Sequence, residues 1–104
     1  MKKFHIAIGV FNIEQSIVDY SARLGQQPQI VIDEEYALWR TDILNFSIRK
    51  IKENNGIIRH LGWEDSTAEK FSSETDINGI IWENFNEDEQ IKEIVSTWPD
   101  YQQK

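Results

Sequence analysis

The sequence contains no cysteine. Disulfides, thiolate nucleophiles and thiolate metal ligands are therefore excluded, and the expected location is the cytoplasm. Basic residues are in deficit: 11 Lys and Arg stand against 18 Asp and Glu, for a net charge of −7. Nucleic-acid backbones and anionic membranes both require a basic footprint, so neither is expected as a partner. No stretch approaches the roughly 20 apolar residues of a membrane span. The opening MKKFHIAIGVF has only a short apolar run, alternates, and carries a histidine, so it reads as a strand rather than a signal peptide. There is no glycine-rich phosphate loop and no Ser/His/Asp order. Histidine occurs only twice, which makes its two positions informative.

What remains is enough for one domain. A chain of 104 residues can build a single modest core, and the whole of 1–104 is read as one unit. The content of 39% hydrophobic and 28% charged residues is ordinary for a globular chain. Four tryptophans are many for this length, so part of the core or an interface should be aromatic.

Phe4 to Val10 alternates, with Phe4, Ile6, Ile8 and Val10 on one face and His5, Ala7 and Gly9 on the other. Asn12 then caps a helix, with Gln15 at its third position, Ile13, Ile17, Tyr20 and Leu24 as its apolar stripe, and Gly25 at its end. Strands are predicted at Gln29 to Ile32, Tyr36 to Arg40 and Leu44 to Lys50. This gives βαβββ over residues 1–53, closed by the polar joint Asn54-Asn55-Gly56. A second unit follows over 57–85. It comprises a strand at Ile57 to Trp63 with Ile58, His60 and Gly62 on one face, a short helix over Thr67 to Ser73 capped by Ser66, a turn at Asp76 to Gly79, and a strand at Ile80 to Phe85. Asn86 caps a last helix reaching Trp98, with Glu87, Asp88 and Glu89 at its positive end. Ile91, Ile94, Val95 and Trp98 form its stripe, Pro99 ends it, and Tyr101 to Lys104 is a tail. The two units echo each other: each places a histidine in a strand, with a small residue two places on.

Three residues interrupt apolar strands: His5, His60 and Glu83. Glu83 is the least expected, because a buried carboxylate is costly unless paired or bound to a metal. Small residues beside both histidines leave room next to each imidazole. Two histidines and a carboxylate suffice to hold a divalent ion on one face with positions left open. A single strand histidine is more often a packed core residue, and Glu83 alone could face solvent, so spacing by itself leaves both readings standing. Tyr36 and Trp39 either line a pocket or pack the core. Arg40, Arg49 and Arg59 lie in or at the ends of strands; an arginine there usually faces solvent, but one facing a cavity would bind an anionic substrate.

The stretch FHIAIGVFNIEQSIVDYSARLGQQP resembles the first strand and helix of the vicinal-oxygen-chelate superfamily, which includes glyoxalases, bleomycin-resistance proteins and extradiol dioxygenases. YALWRTDILNFSIRK followed by GIIRHLGWE resembles its cadmium-induced and organoarsenical-lyase branch. TDINGIIWENF resembles the superfamily's closing D-P-x-G-x-x-W-E-x-F strand. The likeness covers about residues 4 to 85.

The resemblance implies an α+β fold in which βαβββ modules pair into a curved mixed sheet around a metal. Here that means a complete first module, an abbreviated second βαβ module, and an extra C-terminal helix at 86–98. It places the metal ligands at His5, His60 and Glu83. The glyoxalase branch has a further Glu on the fourth strand, where this chain has Asn45, Phe46, Ser47 and Ile48, so three ligands are expected. The lyases hold arsenic with cysteines that this chain lacks, which rejects that activity.

The expectation is a divalent metal, iron(II) first and manganese, nickel or zinc as alternatives, serving a small oxygen-chelating ligand with Tyr36, Trp39 and Arg49 as binding residues. The alternative is a non-catalytic ligand-binding or dimerisation module that keeps the fold. A homodimer is expected, because the final helix or a partner would cover the exposed sheet edge.

Overall fold

A computed structural model describes residues 1–101 as an α+β fold. It comprises β1 (Lys2–Val10), α1 (Ile13–Leu24), β2 (Ile30–Ile32), β3 (Tyr36–Arg40), β4 (Leu44–Lys50), β5 (Ile58–Asp65), β6 (Ser72–Thr75), β7 (Ile81–Phe85) and α2 (Glu87–Thr97). The predicted tail lies outside the described residues beyond Tyr101. Neither helix is long and apolar enough to cross a membrane.

All seven strands form one mixed sheet in the order β2-β3-β4-β1-β5-β7-β6. β1 runs parallel to β4 and antiparallel to β5, and β5 runs parallel to β7. The hairpin partners β3 and β6 lie antiparallel to β4 and β7.

The register sorts side chains onto two faces. One face carries Ile6, Ile8 and Val10 with Ala37, Trp39, Phe46 and Ile48. It packs under Ile13, Ile17, Tyr20 and Leu24 of α1. Trp39 is 0% exposed, and its indole N–H donates to Ser21 Oγ at 3.3 Å and to the Gln26 carbonyl at 3.2 Å. The other face carries Tyr36 and Leu38, which pack against Ile94 of α2 and Trp98 at its C-terminal cap. The last helix therefore lies across a sheet face and not along an edge.

Both helices start as local chemistry dictates. Asn12 Oδ1 accepts from the Gln15 N–H and Asn86 Oδ1 accepts from the Glu89 N–H, each at 2.9 Å. Gly25 ends α1 in a left-handed conformation, φ 73°.

Two predicted features are corrected. No helix forms over Thr67 to Ser73. Asp65 Oδ1 accepts from the Thr67 N–H and hydroxyl at 2.9 and 2.7 Å, an Asx turn that pre-empts a Ser66 cap. A helix over that polar stretch would have little to bury, whereas Ser72–Thr75 pairs with the outer edge of β7. The abbreviated second unit is thus three strands, not βαβ. In addition, Ile58 does not share a face with His60. The pairing steps from Ala7↔His60 to Ile8↔Ile58, so Arg59 is an extra residue in a β-bulge and Ile58 stands opposite Ile8.

The β6–β7 hairpin turns as read from Asp76 to Gly79. Asp76 Oδ1 accepts from the Asn78 and Ile80 N–H groups, and its Oδ2 accepts from the Trp82 indole at 2.8 Å. Gly79 takes φ 82°.

Gly62 stands between His5 and Glu83 in the pairing. A Cβ there would run into the Glu83 carbonyl. Gly62→Ala should therefore force β5 and β7 apart and cost about 1–3 kcal/mol or more. Urea unfolding of the variant against wild type measures this.

Candidate metal centre

One register row crosses the sheet as Arg40↔Asn45↔His5↔Gly62↔Glu83. The four side chains of this row face the α2 side. His60 joins them from the next row, opposite Ala7. With no side chain at Gly62, the imidazole of His5 and the carboxylate of Glu83 approach each other across it.

The three predicted ligand side chains converge. His5 Nε2 and His60 Nε2 are 2.9 Å apart. Glu83 Oε1 lies 3.1 Å from His60 Nε2 and 3.9 Å from His5 Nε2. One donor atom from each falls within 4.8 Å of the others. Donors about 2.1 Å from an ion and at right angles to each other are roughly 3 Å apart, so two of the three edges already match a divalent ion. The third is longer because the Glu83 carboxylate leans towards His60.

His5 is oriented by a chain of hydrogen bonds running back along the row. Arg40 donates Nε and Nη2 to the two oxygens of Glu64, each at 2.8 Å. The ionised carboxylate only accepts, so the Asn45 amide must present its NH2 to it, at 2.8 Å. That turns Asn45 Oδ1 towards His5 Nδ1, 2.8 Å away. The Asn45 backbone carbonyl is also near, at 3.1 Å. Both are acceptors, so His5 carries its proton on Nδ1 and directs the Nε2 lone pair at His60 and Glu83. Gln90 of α2 locks the amide, accepting from Asn45 Nδ2 at 2.7 Å and donating to Oδ1 at 3.1 Å. Asn45 is 0% exposed and His5 is 2% exposed.

The electrostatics agree with a neutral, ligand-ready His5. Burial first, and then the neighbouring charge of His60, lower its pKa, outweighing the Asn45 bonds and Glu83. For Glu64, burial raises the pKa, but the Arg40 and Asn45 hydrogen bonds outweigh it and hold the carboxyl below its usual range.

A small pocket of about 60 Å³ opens beside the triad. A single water takes roughly 10–15 Å³ on this scale, so the space suits a few waters or a small ligand. Tyr36 and Arg49, two of the predicted binding residues, line it. Trp39, the third, lies on the opposite face under α1 and does not reach it.

Arg40, a strand-end arginine of the kind expected to face solvent, anchors the network that orients His5. Asn45, Glu64 and Gln90 carry little local signal of a site role in the sequence. The only local hint was a polar residue between Leu44 and Phe46 of β4.

The chain matches no family model, and no curated protein matches it.

Because the folded pKa of Glu64 lies below its unfolded value of about 4.3, its contribution to stability is complete above that pH. It is lost as pH falls through the lower folded value. Glu64→Gln should cost about 3 kcal/mol at pH 7. The gap to wild type should shrink in acid below pH of about 4, as read from urea midpoints at each pH.

Proposed function

We propose that the protein binds one divalent metal ion through His5, His60 and Glu83 and presents it to a small ligand that coordinates through oxygen. The observation that carries this reading is the convergence of the three donors, together with the hydrogen-bond chain that aims His5 Nε2 at the other two. The His5 Nε2 lone pair meets His60 Nε2 2.9 Å away, where the protonated nitrogen of His60 can donate to it and an ion can take that proton's place. Two imidazoles and one carboxylate suit iron(II) first, then manganese, nickel or zinc. When bound, the metal would supply Lewis acidity and orient ligand oxygens.

The chain's own residues supply the rest. Asn45 fixes the His5 tautomer. Phe85, set edge-on to the His5 ring at 4.9 Å, limits water on that side. α2 roofs the pocket.

The strand pairing supports a vicinal-oxygen-chelate architecture. The first and last strands of each unit run side by side and parallel, β1 with β4 and β5 with β7. The two units meet antiparallel at β1 and β5. On this reading the second unit keeps its first, penultimate and last strands and lacks the helix and one strand.

The pocket's small size favours a second reading, in which the protein binds metal and ligand without turnover. The exposed outer strand β6 and the nearby exposed Phe71 and Ile77 support a homodimer.

Elemental analysis after reconstitution with iron(II), manganese, nickel or zinc should give one equivalent of metal in wild type and none in His60→Ala or Glu83→Ala. A metal-free wild type would sink the proposal.

Asn45→Leu should leave metal binding detectable but weaken it by about 10–100-fold, because only the outer support of His5 is lost. Competition against a chelator reads this directly, with circular dichroism to confirm the fold.

A further inference from the structure

The pocket has a second chemical end. Arg49 and Arg59 both line it, on the side away from Asn45. Arg49 sits there by register, on the same face as Ser47 and Asn45 and opposite Gly9. Arg59 sits there because of the bulge. In a regular strand the residue before His60 would face α1; the extra residue lets Arg59 and His60 reach the same pocket.

Both guanidinium groups belong to half-buried residues. Among the described residues neither has a carboxylate within 4.0 Å, whereas Arg40 has two. Glu83 and Glu93 border the same space without pairing to either. Arg49 lies over the Trp98 ring, 5.1 Å from its centroid, which holds its plane but satisfies none of its N–H donors. Two like charges brought together without a protein acceptor are unfavourable on their own. An arriving oxyanion removes that cost, and arginine's forked donors match its geometry.

We propose that Arg49 and Arg59 form an oxyanion-binding subsite, so that the ligand is a small acid whose carboxylate or phosphonate sits between the arginines. The placement of its other oxygens at His5, His60 and Glu83 rests on the metal-centre reading; the anion subsite itself does not. The pocket of about 60 Å³ limits such a ligand to a few heavy atoms.

The test is a titration of the full chain with methylphosphonate and with propanoate, followed by ¹⁵N chemical shifts of the arginine side chains and backbone. Propanamide, which has the same size as propanoate and no charge, is the control. Saturable shifts at Arg49 and Arg59 are expected with both acids and not with propanamide. Arg49→Gln and Arg59→Gln should each weaken binding by about tenfold, and the double variant should abolish it. Arg59→Lys, which keeps the charge without the fork, should fall between. The metal content of these variants should equal that of wild type, and the anion should still bind to His60→Ala. If His60→Ala and wild type both lack metal but bind methylphosphonate through the arginines, the subsite stands and the metal reading falls. If metal binds normally but the acids show no saturable shift, or bind equally to the folded double glutamine variant, the subsite is overturned.

Discussion

Everything at the site depends on the antiparallel pairing of β1 with β5, which sets His5 opposite Gly62. A side chain at that point would stand between the imidazole and Glu83. A slip of β5 by one residue would turn His60 to the α1 side and leave His5 facing α2, so the two imidazoles would part. The pairing also brings Glu64 onto the row next to Phe85 and within reach of Asn45 and Arg40. The orienting network and the donor triad are thus two products of one register. They are built from five strands and closed by a single glutamine from α2.

The orienting chain has a definite direction. It begins with a cation that cannot lose its proton and passes through a carboxylate that can only accept. It then crosses an amide with one face of each kind and ends on the imidazole. Each step leaves the next one orientation. The reciprocal pair with Gln90 takes up what remains of the Asn45 amide, and among the described residues no buried polar side-chain atom is left without a partner. Such a network tolerates the loss of any member poorly, because the groups left behind stay out of water.

Local signals were legible in the sequence, and tertiary ones were not. α1 could be read because its cap, stripe and terminal glycine lie within fourteen residues, Asn12 to Gly25. The Asp76–Gly79 turn was legible for the same reason. His5, His60 and Glu83 stood out as polar residues in apolar strands, and the fold gathers them. The partners of His5 were invisible: Asn45 lies 40 residues away, Gln90 is 45 beyond Asn45, and Arg40 is 24 from Glu64. In the segment after His60, Ser66 imitates a helix cap, while the competing Asx turn at Asp65 and the free edge of β7 decide the outcome. Trp39 was open between pocket and core. Strand parity settles it, since Trp39 pairs with Phe46 and not with Ser47. The bulge at Arg59 leaves no local trace, because it exists only as a mismatch between two strands.

Asn86 occupies an unusual mechanical position. It follows β7 directly, caps α2 through its Oδ1, and donates its Nδ2 to the Ala68 carbonyl at 2.8 Å. Glu83 lies three residues before it and Gln90 four residues after. The residue that completes the donor triad and the residue that locks its orienting amide therefore hang from the same joint. A substitution at Asn86 would therefore disturb the start of α2 and the placement of Glu83 together.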